Sequence, residues 1–189
     1  MLKPQDIVTI LKVHSWEKAT WTYSTLAQSL GMSASEVHSA LSRCAAAGLY
    51  DSENRRILTQ ALLEFVVHGL RYVFYAQPGP LSRGLPTAHS AEPLKSKLIA
   101  SPSEVYVWPD PQGVVRGQAI APLYRSVPQA AKNDPELYAL LSLIDALRVG
   151  RVREQRLAVS ELENRLVTLS ILRTVFKRPK YHRTGVQES

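Results

Sequence analysis

Between Thr22 and Leu49 the chain carries two helix-start signals separated by one glycine, a pattern that fits a helix, a tight turn and a second helix. Ser24 reads as an N-cap for a short helix bearing Leu26, Ala27 and Leu30. Gly31, free to take the left-handed conformation, stops it. Ser33-Ala34-Ser35-Glu36 has the form of a capping box, in which the Ser33 hydroxyl and the Glu36 carboxylate each take the other residue's amide. The helix it opens is predicted to run to about Ala47, with Gly48 closing it.

On that second helix Val37, Ala40, Leu41 and Cys44 fall on one stripe, as a buried face requires. Ser35, His38, Ser39, Ser42 and Arg43 occupy the other side, and short polar side chains with one arginine suit a groove. With Leu26, Ala27, Gly31, Met32, Val37 and Leu41 where two crossing helices need small or aliphatic residues, the first third of the chain resembles the winged helix-turn-helix domains of bacterial transcriptional regulators of the MarR type. The resemblance implies a DNA-binding protein whose second helix enters the major groove. The residues expected at the duplex are Ser33, Ser35, His38, Ser39, Ser42 and Arg43, with Arg43 on a guanine or a phosphate. The same two helices also fit a plain helical hairpin that only packs a core.

Around this motif, Pro4 opens a supporting helix with Ile7, Ile10 and Leu11, and His14 is expected at its surface end. Thr20-Trp21-Thr22-Tyr23 alternates like a short strand. Leu49 to Leu58 reads as strand, polar turn and strand, the form of a wing. Arg55 and Arg56 would then reach a flanking phosphate or the minor groove; the competing reading is a solvated loop. Thr59 to Leu70 is apolar nearly all round and reads as a buried hub helix; Glu64 and His68, four apart, fit a helical ion pair better than a metal site. Arg71 to Tyr75 is predicted as a strand ending a first domain, residues 1–75.

Residues 76–103 hold Pro78, Pro80, Pro86, Pro93 and Pro102, and read as a linker or an ordered arm. His89, beside Thr87 and Ser90, has no nucleophile, acid or base placed relative to it, so an arm ordered by polar contacts is the expectation. In residues 104–189, Val105–Trp108 and Val114–Ile120 form the clearest hairpin pattern, with the strand near Tyr72 as its third member. Asp134-Pro135 starts a helix carrying Leu137, Leu140, Leu141, Ile144 and Leu147 to about Gly150. The next bears Val159, Leu162, Leu166 and Leu169, a short heptad seam that would be buried on a twin chain or on its own. The fold class is therefore mainly α with small β elements: a winged helix-turn-helix, a β-hairpin and a C-terminal helical hairpin.

Charge bears on partners. The formal net charge is +7, but Lys and Arg counted against Asp and Glu give only +1 for residues 1–75, against +2 for 76–134 and +4 for 135–189. A near-neutral head grips phosphate weakly alone, which calls for a second head in a homodimer or for the basic tail at Lys177, Arg178, Lys180 and Arg183. The start, Met1 to Asp6, lacks the apolar core of a signal peptide, and no run reaches the ~18 apolar residues of a membrane span. A cytoplasmic protein without membrane association is expected. The single cysteine, Cys44, allows no internal disulfide. No phosphate-binding glycine loop, zinc pattern, hydrolase elbow or acidic metal cluster is seen, so neither catalysis nor a cofactor is expected. The leading expectation is a dimeric repressor on double-stranded DNA. The alternative is an antitoxin or accessory subunit that binds a protein partner through its C-terminal part and autoregulates through the winged helix.

Overall fold

The computed structural model describes residues 1–16, 20–98 and 105–168. Pro4–Ser15 (α1), Tyr23–Leu30 (α2) and Ala34–Ala46 (α3) form the first layer. A two-stranded ribbon, Tyr50–Asp51 (β1) with Arg56–Ile57 (β2), follows. Thr59–Glu64 (α4) passes through a π-turn at Phe65–Gly69 into Leu70–Val73 (α5). Leu81–Pro86 (β3), Tyr106–Pro109 (β4) and Val115–Ala119 (β5) close a small barrel. Val127–Lys132 (α6), Pro135–Val149 (α7) and Val152–Glu163 (α8) complete the described chain, α8 running on through a π-turn at Asn164–Thr168. The protein is thus mainly helical with small sheets, and among the described residues no helix is long and apolar enough to cross a membrane.

One buried cluster runs from Ile7 to Leu166 and does not break at residue 75 or 103. Leu26, Leu30 and Val37 are fully buried in it, each contributing about 1.5–3 kcal/mol. In the segment read as a linker or an ordered arm, Thr87, Ala88, His89, Ala91 and Leu94 are buried, the turn Ala88–Ser90 packing against α7 and β4. Pro80 precedes β3, Pro86 ends it and Pro93 lies in a turn, positions where no amide is needed, while Pro102 lies outside the described residues. His89 lies in this packing, its ring 4.9 Å from that of Tyr106 and its Nδ1 3.5 Å from Glu154.

Several local expectations are corrected. Thr20–Tyr23 is not a strand; Thr22, rather than Ser24, caps α2 by accepting from the Thr25 amide. Arg71–Val73 is helical, because buried Leu70 anchors the turn and its carbonyl takes the Phe74 amide, so tertiary packing overrides the β-favouring composition. The third barrel strand is instead β3. β4 and β5 do not form an antiparallel hairpin: they run parallel, and each is antiparallel to β3. Gly84 makes this closure feasible, since a Cβ there would sit 1.9 Å from the Trp108 carbonyl oxygen. His14 is buried rather than at the surface, its Nε2 3.2 Å from the Arg165 carbonyl. Glu64 accepts from Gln60 and has no ion pair with His68.

Two polar clusters tie the layers together. Lys12 of α1 pairs with Asp134 at 2.7 Å; Asp134 also accepts from Ser15 and caps α7 through the Leu137 amide. Burial works against ionising Asp134, yet the Leu137 amide, the Lys12 ammonium and the Ser15 hydroxyl outweigh it and hold its pKa below the usual value. Beneath the barrel, buried Asp145 accepts from Thr87 Oγ1 (2.8 Å), Trp108 Nε1 (2.5 Å) and Arg148 (2.6 Å). Its pKa is raised because burial outweighs these partners. The helix starts at Asp134-Pro135 and Ser33 agree with expectation, and Leu162 and Leu166 of the heptad seam are buried within their own chain. Ser103, Leu169 and the basic residues Lys177, Arg178, Lys180 and Arg183 lie outside the described residues.

Candidate nucleic-acid interface

α3 is fixed at its start by the reciprocal bonds its sequence calls for. The Ser33 hydroxyl accepts from the Glu36 amide at 3.2 Å, and Glu36 Oε2 accepts from the Ser33 amide at 2.8 Å. Glu36 also receives the Tyr124 hydroxyl at 3.0 Å. The Ser33 backbone bond first, then the Ser33 and Tyr124 hydroxyls, hold its carboxyl below the ordinary glutamate range. Gly31 takes φ +61°, and a Cβ on it would lie 3.3 Å from the Cβ of Ser126. Ser126 itself donates to the Leu30 carbonyl. The turn between α2 and α3 is therefore braced from behind by residues 124–126, a contact of high sequence separation that local pattern does not carry.

Val37, Ala40, Leu41 and Cys44 are buried, and burial pushes the Cys44 thiol up to about 12, so it stays protonated and unreactive at neutral pH. On the opposite side Ser35, His38 and Ser42 are exposed and Ser39 is half-buried. Tyr23 stands beside them, its ring 5.3 Å from that of His38. Ser35, His38, Ser39 and Ser42 thus share one polar face, while Ser33 sits at its end as the cap.

The arginines behave differently. Arg43 donates from Nε (2.8 Å) and Nη2 (2.6 Å) to the buried carboxylate of Asp6, a two-pronged pair joining α3 to α1. That Asp6 bond, opposed by burial, raises the Arg43 pKa. Arg55, at the tip of the β1–β2 ribbon with φ +49°, lies 4.1 Å over the Trp21 ring and donates to the Trp21 carbonyl. This anchorage offsets a backbone conformation that costs about 1–2 kcal/mol. Arg56 donates to Asp51, which also takes the Asn54 side chain and amide. Asn54 first, then Arg56, lower the Asp51 pKa to about 2.

A further cation beside this face is Arg125, exposed, 5.7 Å from the Tyr124 ring and without a side-chain hydrogen bond or ion pair among the described residues. Sequence reasoning missed it, because only the fold brings residues 124–126 to the start of α3. No cluster of three or more metal-ligating side chains occurs among the described residues. Compared with known protein families, curated proteins and solved structures, the chain matches none.

Proposed function

We propose that this chain is a double-stranded DNA-binding transcriptional regulator that acts as a homodimer, with α1–α3 and the β1–β2 ribbon forming a winged helix-turn-helix. One observation carries the reading: α3 is capped, buries its whole aliphatic stripe, and leaves Ser35, His38 and Ser42 exposed along one side. A buried structural helix has no need of such a face, whereas a major groove accepts short hydroxyls and an imidazole. In this reading Ser35, His38, Ser39 and Ser42 contact bases or phosphates, and Arg125 adds a phosphate contact beside them. Arg43, held by Asp6, sets the angle of α3 on α1. Arg55 and Arg56 shape the wing.

The dimer follows from charge and surface. With the head near neutrality, two heads bound together raise the effective affinity without new contacts. Leu162 and Leu166 of the heptad seam are buried internally, and Tyr72, Val73 and Tyr75, 70%, 55% and 72% exposed, offer a second copy another surface. The same patch favours the second reading, a protein partner of different sequence with the winged helix serving autoregulation. Binding of the purified chain to genomic duplex fragments at two salt concentrations, alongside its size in solution, tests both. Selective retention of a few fragments by a two-chain species is expected. A chain that retains no fragment preferentially contradicts the regulator reading.

A further inference from the structure

The barrel holds two arginines in an arrangement that costs energy unless an anion joins it. In the antiparallel register of β3 and β5, Arg83 stands directly opposite Arg116. Like charges facing each other across a strand pair are destabilising. Both side chains are exposed, and neither has a hydrogen bond or ion pair among the described residues. The nearest acid in sequence, Asp110, is taken by Lys132 and by the Gln112 amide of its own turn. Elsewhere in the described chain, Arg43, Arg56, Arg148 and Arg165 each have a carboxylate. The backbone keeps the two cations together: Gly84 lies against the Trp108 carbonyl and Gly113, so a slipped register would bring a side chain into occupied space.

The pair lines an open cleft of about 590 Å³ with Leu81, Ser82, Gly113 and Val114. Leu81 and Val114 are 63% and 95% exposed. The lining offers two guanidinium forks between aliphatic rims, and the Ser82 hydroxyl is already donating to the Arg83 carbonyl. A phosphodiester backbone accepts hydrogen bonds and donates none, and its sugars present C–H surface to the aliphatic rims.

From this we infer that the Arg83–Arg116 pair is a second nucleic-acid contact, taking the phosphodiester backbone of the duplex. It rests on the regulator reading only for the identity of the duplex. The test is anisotropy titration of a labelled mixed-sequence duplex, and of a preferred fragment, over a series of salt concentrations. The chains compared are wild type, R83Q/R116Q, R83K/R116K and S35A/H38A/S42A. In the Gln pair the magnitude of the slope of log K against log salt falls by about 1.8, roughly 0.9 for each of the two lost phosphate contacts, and low-salt affinity drops about tenfold or more. The Lys pair restores the slope, and the α3 variant keeps it while losing preference for the fragment. A Gln pair with wild-type slope and affinity overturns the inference and leaves the α3 reading standing. Loss of binding in the Gln pair, with fragment preference untouched by the α3 variant, supports the barrel contact and sinks the α3 reading. A wild-type chain that binds no duplex at low salt overturns both. Polyglutamate binding abolished in the Gln pair, with duplex binding equal in the two chains, overturns it in favour of an acidic protein partner.

Discussion

α3 and the barrel carry arginine in opposite ways. At α3 and its ribbon, Arg43 and Arg55 are bonded to Asp6 and Trp21 of the body, and the exposed Arg56 is paired with Asp51 of its own ribbon. In the barrel Arg83 and Arg116 face one another in register, and neither has a hydrogen bond or ion pair from its side chain among the described residues. A guanidinium bonded to its own protein fixes geometry and contributes little free charge; one left unbonded is available to a polyanion. Shape and sequence preference are accordingly expected of the helix, and salt-dependent grip of the barrel together with Arg125. The near-neutral head is then a division of labour within the chain.

The contrast can be broken at several points. The largest effect is expected at Asp145→Ala, which strips the barrel of its support: the nearly buried Arg148 guanidinium keeps the Phe74 and Ala121 carbonyls but loses its carboxylate, and the Thr87 hydroxyl and Trp108 N–H lose their acceptor. A loss of about 3–5 kcal/mol in urea unfolding is expected; a change under 1 kcal/mol would show that the barrel stands without that hub. Next comes Arg43→Met, which leaves the Asp6 carboxylate buried. Its expected cost is about 2 kcal/mol in the same assay, with duplex affinity at fixed salt little changed. The reverse outcome, full stability with weakened duplex binding, would return Arg43 to the recognition surface. Ser33→Ala removes the cap of α3 and should cost about 1 kcal/mol. An unaltered midpoint would mean that Tyr124 and Glu36 hold the helix start without it.

The smallest effect is confined to acid. Asp51 has a folded pKa near 2, below the ~3.9 of an unfolded aspartate, so its contribution is present above pH 4 and fades as pH falls through the folded value. Asp51→Asn should therefore flatten the wild-type decline in stability between about pH 4 and pH 2, measured by thermal unfolding at stepped pH. An identical decline in the variant would assign that acid limb elsewhere.

What the sequence made legible follows from range. The capping box at Ser33–Glu36, the left-handed Gly31, the Asp134-Pro135 start and the stripe Val37, Ala40, Leu41, Cys44 are local patterns with local causes, and all stand in the structure. The partners of Arg43 and Arg55 were out of reach, because Asp6 and Trp21 lie 37 and 34 residues away. The barrel was misjudged for the same reason: Val105–Trp108 and Val114–Ile120 have hairpin composition, but β3 pairs with both and leaves them parallel. Proline-rich composition hid β3, in which Leu85 pairs with Trp108 of β4.

The polar side of α3 is the surface on which the functional reading turns. Selection of genomic duplex fragments by the wild-type chain and by S35A/H38A/S42A, at one salt concentration, tests it most directly. The expected result is a small set of fragments enriched by the wild type and lost by the variant, with comparable binding of both to bulk duplex. Enrichment of the same fragments by both chains with equal affinity would contradict it.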